Sequence, residues 1–291
     1  MKTWRVDGSP VSARANSMAW KLHSEMVLLA GWGRAILLQL AHPLVAQGVA
    51  EHSDFLAERW ARVHRLDRTL RAMLTLTFGA PEEVERVART INGIHDRVHG
   101  ELWSRQGIFP ERTPYTAHDP GLLTWVHATL LDSFLPTYEL FVAPLTAEER
   151  DRYCAESSGI GPLLGIPPGC LPQDVAELRA YMDARLTSGE IAVTDTARRL
   201  AREIVDPPAF LVARPLLALA RLPTIGLLPP AIRRGYGLSW DERHERALFA
   251  LAAVSRRLLP FLPSALRHWP AARAARARER RASVRRRSAS D

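Results

Sequence analysis

The sequence predicts an all-α fold, a single globular helical domain, on three observations. Hydrophobic residues make up 47% of the 291. Aliphatics and alanine dominate them, and β-branched runs of period two are scarce, which favours helix over strand. Helix start signals recur along the chain: Pro81 followed by Glu82 and Glu83, Asp119 before Pro120, and Thr146 three residues before Glu149. No Gly/Ser linker and no internal repeat divides the body, so one core is the simplest organisation.

Taken in order, residues 17–50 read as one long buried helix kinked at Pro43. Residues 54–78 read as a second helix, ended by Gly79, and a third runs from Pro81 to about Gly100. A loop with Pro110 and Pro114 leads to Asp119, the cap of a helix reaching about residue 142. Thr146 and Glu149 form a capping box opening a helix to about 157. The stretch 159–172 reads as a loop. Helices follow at 173–187, 194–205 and 240–258, with a proline-broken apolar region before the last. No strand hairpin stands out.

The net charge of +8 suggests nucleic acid until it is located. Residues 273–291 hold eight arginines against Glu279 and Asp291, so +6 of the charge lies there and +2 in all the rest. The body gives no sign of a specific nucleic-acid partner. The tail reads as a disordered arm or frayed helix, because little in it is apolar enough to pack. The chain therefore divides into an N-terminal arm (1–16), a helical body (17–272) and a basic tail (273–291).

Cys154 and Cys170 form no C-x-x-C pair, so no disulfide framework is implied. The first residues lack the apolar run of a secretory leader. The apolar stretches 26–50 and 209–232 are broken by Arg34, Arg214, Arg221 and several prolines, so neither reads as a transmembrane segment. A cytoplasmic protein is expected, with a peripheral membrane contact by the second stretch left open.

Several histidines fall on or near apolar faces. On the third helix Val84, Val87, Ile91, Ile94 and Val98 share one face. His95 lies roughly 60° from its centre and His99 roughly 100°. His95 is either a hydrogen-bonded core residue or a ligand. On the second helix Arg65, Arg68 and Thr69 are neighbours at i, i+3, i+4. They form either a solvated surface or a clamp for an anion or bound oxygen species. His42 precedes Pro43, where a proline frees a backbone carbonyl, and can satisfy that defect. Glu51, His52 and Asp54 lie between the first and second helices, and His52 can bond Ser53 locally. His127 shares a face with Leu123, Leu130, Leu131 and Phe134, so it must be hydrogen-bonded or bound to something. Phosphate loops, dinucleotide fingerprints, nucleophile elbows and zinc motifs are absent from the sequence.

The ordered blocks "AHPLVAQGVAEHS", "HRLDRT", "INGIHDRVHG" and "PYTAHDPGLLTWVHATLLDSF", with the later "GYGLSW" and "LLPFLPSALRHWP", resemble the catalytic domain shared by mpaB-type oxygenases and latex-clearing proteins (rubber oxygenases). The resemblance spans roughly residues 17–272. It implies globin-like helical elements around a pocket for non-covalent haem b, and the absence of C-x-x-C-H agrees with non-covalent attachment. His95, with His99 as fallback, falls where the family has its iron ligand. Arg65, Arg68 and Thr69 match an Arg-x-x-Lys-Thr turn, with arginine in place of the lysine. Arginine does not readily become a neutral nitrogen ligand, so an open or water-bound distal position is implied. Arg65, His42 and His127 are then candidates for holding the cofactor. Arg68 and Thr69 are candidates for the distal wall, and Glu51 for the acid that serves as base. The expected partners are a small apolar or aromatic substrate and dioxygen or peroxide. Two alternatives stay open: a non-catalytic haem-binding or sensing protein, and a cofactor-free helical scaffold.

Overall fold

The computed structural model describes residues 17–52, 59–205 and 214–287, with backbone only at 59–66, 214–218 and 283–287. The N-terminal arm, and the expectations for Ser53, Asp54 and 206–213, lie outside the described residues. The fold is all-α: the described residues are helices joined by short loops, plus one two-stranded sheet of three residues per strand.

The first predicted helix is three. α1 spans Met18–His23. A 3₁₀ turn follows at Met26–Leu28, then α2 at Leu29–Leu40 and α3 at Pro43–His52. The chain bends by 104° between the second and third pieces. A kink would not suffice, because the His42–Pro43 pair restarts the helix. Pro43 takes the first helical position, where its missing N–H costs nothing. The His42 Nδ1 accepts the Leu44 N–H at 3.3 Å, satisfying one of the orphan donors of a helix start.

α4 (Arg59–Phe78) and α5 (Pro81–His95) form a tight hairpin through Gly79 and Ala80. The Glu83 carboxylate accepts the Ala80 N–H at 2.7 Å. α5 ends at His95, not near Gly100. Residues His99–Glu101 form strand β1, paired antiparallel with β2 (Pro114–Thr116). The apolar periodicity had carried the helix through Val98, but His99, Gly100 and Glu101 pair with Thr116, Tyr115 and Pro114 instead. The angular position given to His99 therefore does not apply.

In α6 (Pro120–Phe141) the Asp119 carboxylate accepts the Leu122 N–H at 2.9 Å. In α7 (Ala147–Ser158) the Thr146 and Glu149 box is closed in both directions, at 3.0 and 3.1 Å. α8 (Val175–Thr187), α9 (Asp195–Val205), α10 (Arg214–Gly226), α11 (Pro230–Gly235), α12 (Glu242–Leu258) and α13 (Ser264–Arg267) follow. The signals for α6, α7, α8, α9 and α12 place helices as expected, whereas α10, α11 and α13 were not read from the sequence.

The core is centred on α2 against α6. Thr129, Ser133 and Thr137 make a buried stripe of small residues on α6, each hydroxyl bonded to a carbonyl of the preceding turn. The stripe lets α2 approach closely: a Cβ at Gly31 would stand 2.6 Å from the Thr137 hydroxyl. Arg34, which broke the apolar stretch in the sequence, is buried here. It donates to the Leu227 carbonyl (2.6 Å), the Asp132 carbonyl (2.8 Å), the Ser133 hydroxyl (2.8 Å) and the Asp132 carboxylate (2.7 Å). No single described helix is long and apolar enough to cross a membrane.

The basic tail differs from expectation. Residues 270–287 form helix α14. Its Ala272 and Ala275 are buried against Trp20 of α1 and Phe78 of α4, and Arg278 donates to the Phe78 carbonyl at 2.5 Å. Alanines repeated at i and i+3 suffice for packing where the partner supplies two large rings; the count of apolar residues missed this. Deleting 273–291 uncovers those rings. We expect a loss of about 2 kcal/mol, seen as a melting temperature lower by roughly 4–8 °C in calorimetry. An unchanged melting temperature would show that the helix contributes nothing.

Candidate functional site

The two sequence candidates lie on the two arms of the α4–α5 hairpin. Counted outward from the Gly79–Ala80 turn at about 1.5 Å per residue, position 65 comes level with Ile94 and His95. Positions 68 and 69 come level with Ile91 and Thr90, roughly one turn away. Arg68 and Thr69 are exposed, at the rim of this pair of helices. The side chain of Arg65 is outside the described residues.

His95 closes α5 and is half-buried. Its Nδ1 is shut off from solvent and has no hydrogen-bond partner. A buried polar atom without a partner is costly, and native structures keep few. The ring meets the His118 ring edge-on, with centroids 5.8 Å apart. The His118 Nε2 is itself 2.7 Å from the Asp96 carboxylate. Burial, then His118, pulls the His95 pKa below its ordinary value, against a smaller opposing pull from Asp96. His95 is thus neutral at pH 7, with a nitrogen lone pair to offer.

His127 behaves in the same way on α6. Its Nε2 is buried without a partner, and burial brings its pKa down to about 4. His127 in turn acts electrostatically on His23, whose two nitrogens are 3.1 Å from the Thr77 hydroxyl and 2.8 Å from the Tyr153 hydroxyl. Burial, then His127, brings His23 to about 4 as well. His23 was not singled out from the sequence; the partners that bury it, Thr77, Tyr153 and His127, are distant in the chain.

Glu51 lies in a cradle of its own. Its carboxylate accepts hydrogen bonds from Gln47 (2.6 Å), from the Trp103 indole and from the Tyr115 hydroxyl. His52 stands 4.0 Å from it and 3.1 Å from the His99 carbonyl. Burial alone would raise the Glu51 pKa, but the donors Tyr115, Gln47 and Trp103 together lower it. Tyr115, by burial and by its bond to Glu51, is pushed well above the usual phenol range. The β1–β2 pairing builds this arrangement. Gly100 lies opposite Tyr115, and a Cβ there would stand 2.7 Å from the Tyr115 hydroxyl, so only glycine lets the ring lie across the strand.

The segment after His95 thus joins two clusters: His95 with His118 and Asp96, then His99 with His52, Tyr115 and Glu51. His99 is exposed, and its carbonyl carries the contact described. His42 is buried beside Phe109, at 5.4 Å between rings, and its Nδ1 serves the start of α3. Among the described residues there is no group of three or more His, Cys, Asp or Glu side chains placed to hold a metal ion. Tyr115, Trp103, His118 and Asp96 were not singled out from sequence. Only the strand pairing, which carried no hairpin signal, brings β2 and the residues after it alongside β1.

Fold and sequence together define an all-α oxygenase catalytic domain. The family model described as "ER-bound oxygenase mpaB/B'/Rubber oxygenase, catalytic domain" matches residues 20–257, and the chain belongs to that family. The late block "LLPFLPSALRHWP" and α14 lie beyond the matched residues. Comparison with curated proteins and with solved structures finds no match.

The cradle yields a prediction. Glu51, with a folded-state pKa below its unfolded one, stabilises the fold above the acid range and loses that contribution as pH falls through the folded pKa. Tyr115→Phe removes one donor to the carboxylate. The Glu51 pKa should then rise toward its ordinary value, followed by carboxyl-carbon NMR titration. An unmoved pKa would mean that the hydroxyl does not hold the charge.

Proposed function

We propose that this oxygenase is haem b-dependent and acts on a small apolar or aromatic molecule. One observation carries the reading: two imidazoles, that of half-buried His95 and that of His127, each present a buried nitrogen without a protein partner, and the lowered pKa values keep both neutral. Neutral imidazole is the protonation state that binds haem iron, and a group inserted beside these nitrogens removes the cost of leaving them unpaired. The donor set fits the cofactor, which takes one axial histidine and needs no three-residue cage.

In this reading His95, which closes α5, would hold the haem iron. His99 is set aside, because it is exposed on β1. His127 on α6 is the second residue that would hold the group, through its Nε2. Haem, when bound, supplies a redox-active iron for the activation of dioxygen or peroxide. Arg65, level with His95 on the facing helix, places a permanent positive charge for a carboxylate such as a propionate. Arg68 and Thr69, at the rim, offer donors that polarise an oxygen species entering from solvent. Arg68 replaces the lysine of the family turn, so this wall holds a fixed cation rather than a titratable amine. His42 is assigned to the start of α3, where its Nδ1 is occupied. Glu51 is ionised and held by three donors, which suits it to orient a partner or accept a proton only weakly. An apolar substrate suits the face of α6 that His127 shares with Leu123, Leu130, Leu131 and Phe134.

The purified protein should show a Soret band, with haem extractable by acid–butanone. His95→Ala should lose haem or the signature of an axial imidazole in the ferrous–CO spectrum, while His99→Ala keeps both. A protein that stays colourless after haem addition overturns the cofactor. Full haem retention in His95→Ala, with loss in His127→Ala, moves the ligand to α6.

A further inference from the structure

Downstream of the family match, the chain builds a surface that the oxygenase reading does not use. Between the end of α12 and α13 lie Leu258, Phe261, Leu262 and Leu266, with exposures of 55%, 83%, 39% and 66%. Nine residues folded into short turns thus present four large apolar side chains to solvent. Single exposed leucines are ordinary, but a cluster of this kind marks an interaction site.

The charge around this tip is of one sign. From Arg246 to Arg281 the sequence holds nine arginines and one acid, Glu279. Arg267 is taken up by the buried Glu25, with which it makes hydrogen bonds of 2.5–2.9 Å. Arg256 and Arg257 are exposed at the end of α12, and Arg273 and Arg276 are exposed on α14. α14 and the tip are joined by a groove of about 400 Å³ whose lining includes Ser264, His268, Arg273 and Arg276. The docking of Ala272 and Ala275 on Trp20 and Phe78 holds this basic helix against the body, so its arginines flank the tip as a fixed array.

We propose that the tip and the flanking arginines form a docking site for an anionic lipid bilayer, with Phe261, Leu262 and Leu266 entering the interface and the arginines meeting the headgroups. Apolar insertion and a basic surface are the two signals that together give stable peripheral attachment. Charge complementarity selects this occupant. Isologous pairing with a second copy would bring the same arginines toward each other. A nucleic acid would meet the arginines but leave three leucines with no bases to stack on.

The test uses the full chain and sedimentation with vesicles of phosphatidylcholine, alone or mixed with phosphatidylglycerol. We expect binding to the mixed vesicles, little to the neutral ones, and release at high salt. Phe261→Ser/Leu262→Ser/Leu266→Ser, all at exposed positions, should weaken binding at least about tenfold, and so should Arg273→Glu/Arg276→Glu. Circular dichroism confirms that each variant is folded. Equal binding to both vesicle types, no binding to either, or undiminished binding by the triple variant overturns the proposal. A dimer in solution that the triple variant converts to monomer, without vesicle binding, assigns the surface to a second copy instead. Because the readout is partitioning, it stands apart from the haem assignment.

Discussion

The arrangement of the body depends on one buried guanidinium. Arg34 on α2 makes four hydrogen bonds, to the end of α10 and to residues 132 and 133 of α6. A buried charge without such partners would be prohibitive, and removing one partner of a buried pair costs on the order of 3–5 kcal/mol. Arg34 therefore fixes where α6 and α10 lie along α2. The neighbouring glycines complete the constraint: a Cβ at Gly33 would stand 2.3 Å from the Thr224 hydroxyl of α10. With α6 so placed, His127 and the Asp119 cap are placed too.

A second buried charge plays a comparable part near the C-terminal end. Glu25, 3% exposed, is held by Arg267, with the His268 Nε2 at 3.4 Å. The Trp269 N–H donates to the Ser24 carbonyl at 3.1 Å. The junction after α1 and the end of α13 are thereby locked together, and α14 is delivered onto Trp20 and Phe78. α14, which flanks the proposed lipid-facing tip, thus packs on α4, one arm of the hairpin carrying His95.

The buried histidines add no charge to these two pairs. Burial brings the imidazoles of His23, His42 and His127 to about 4, so these three side chains stay neutral near neutral pH. Glu51 keeps its charge because three donors converge on it.

The sequence by itself determined the all-α class, the starts of α5, α6 and α7, the neighbouring positions of Arg65, Arg68 and Thr69, and the family. These rest on local chemistry: caps, prolines and helical spacing act within a few residues and read the same in any context. It did not determine where α5 ends, because Val98 continues the apolar period while strand pairing with 114–116 removes it from the helix. Nor did it determine that Arg34 is interior, that Glu51 meets Tyr115 and Trp103, that His118 abuts His95, or that an arginine-rich tail packs. Each of those depends on a partner distant in the chain. Only the tertiary structure, through the closure of long loops and the burial of charges that must find partners, decided them.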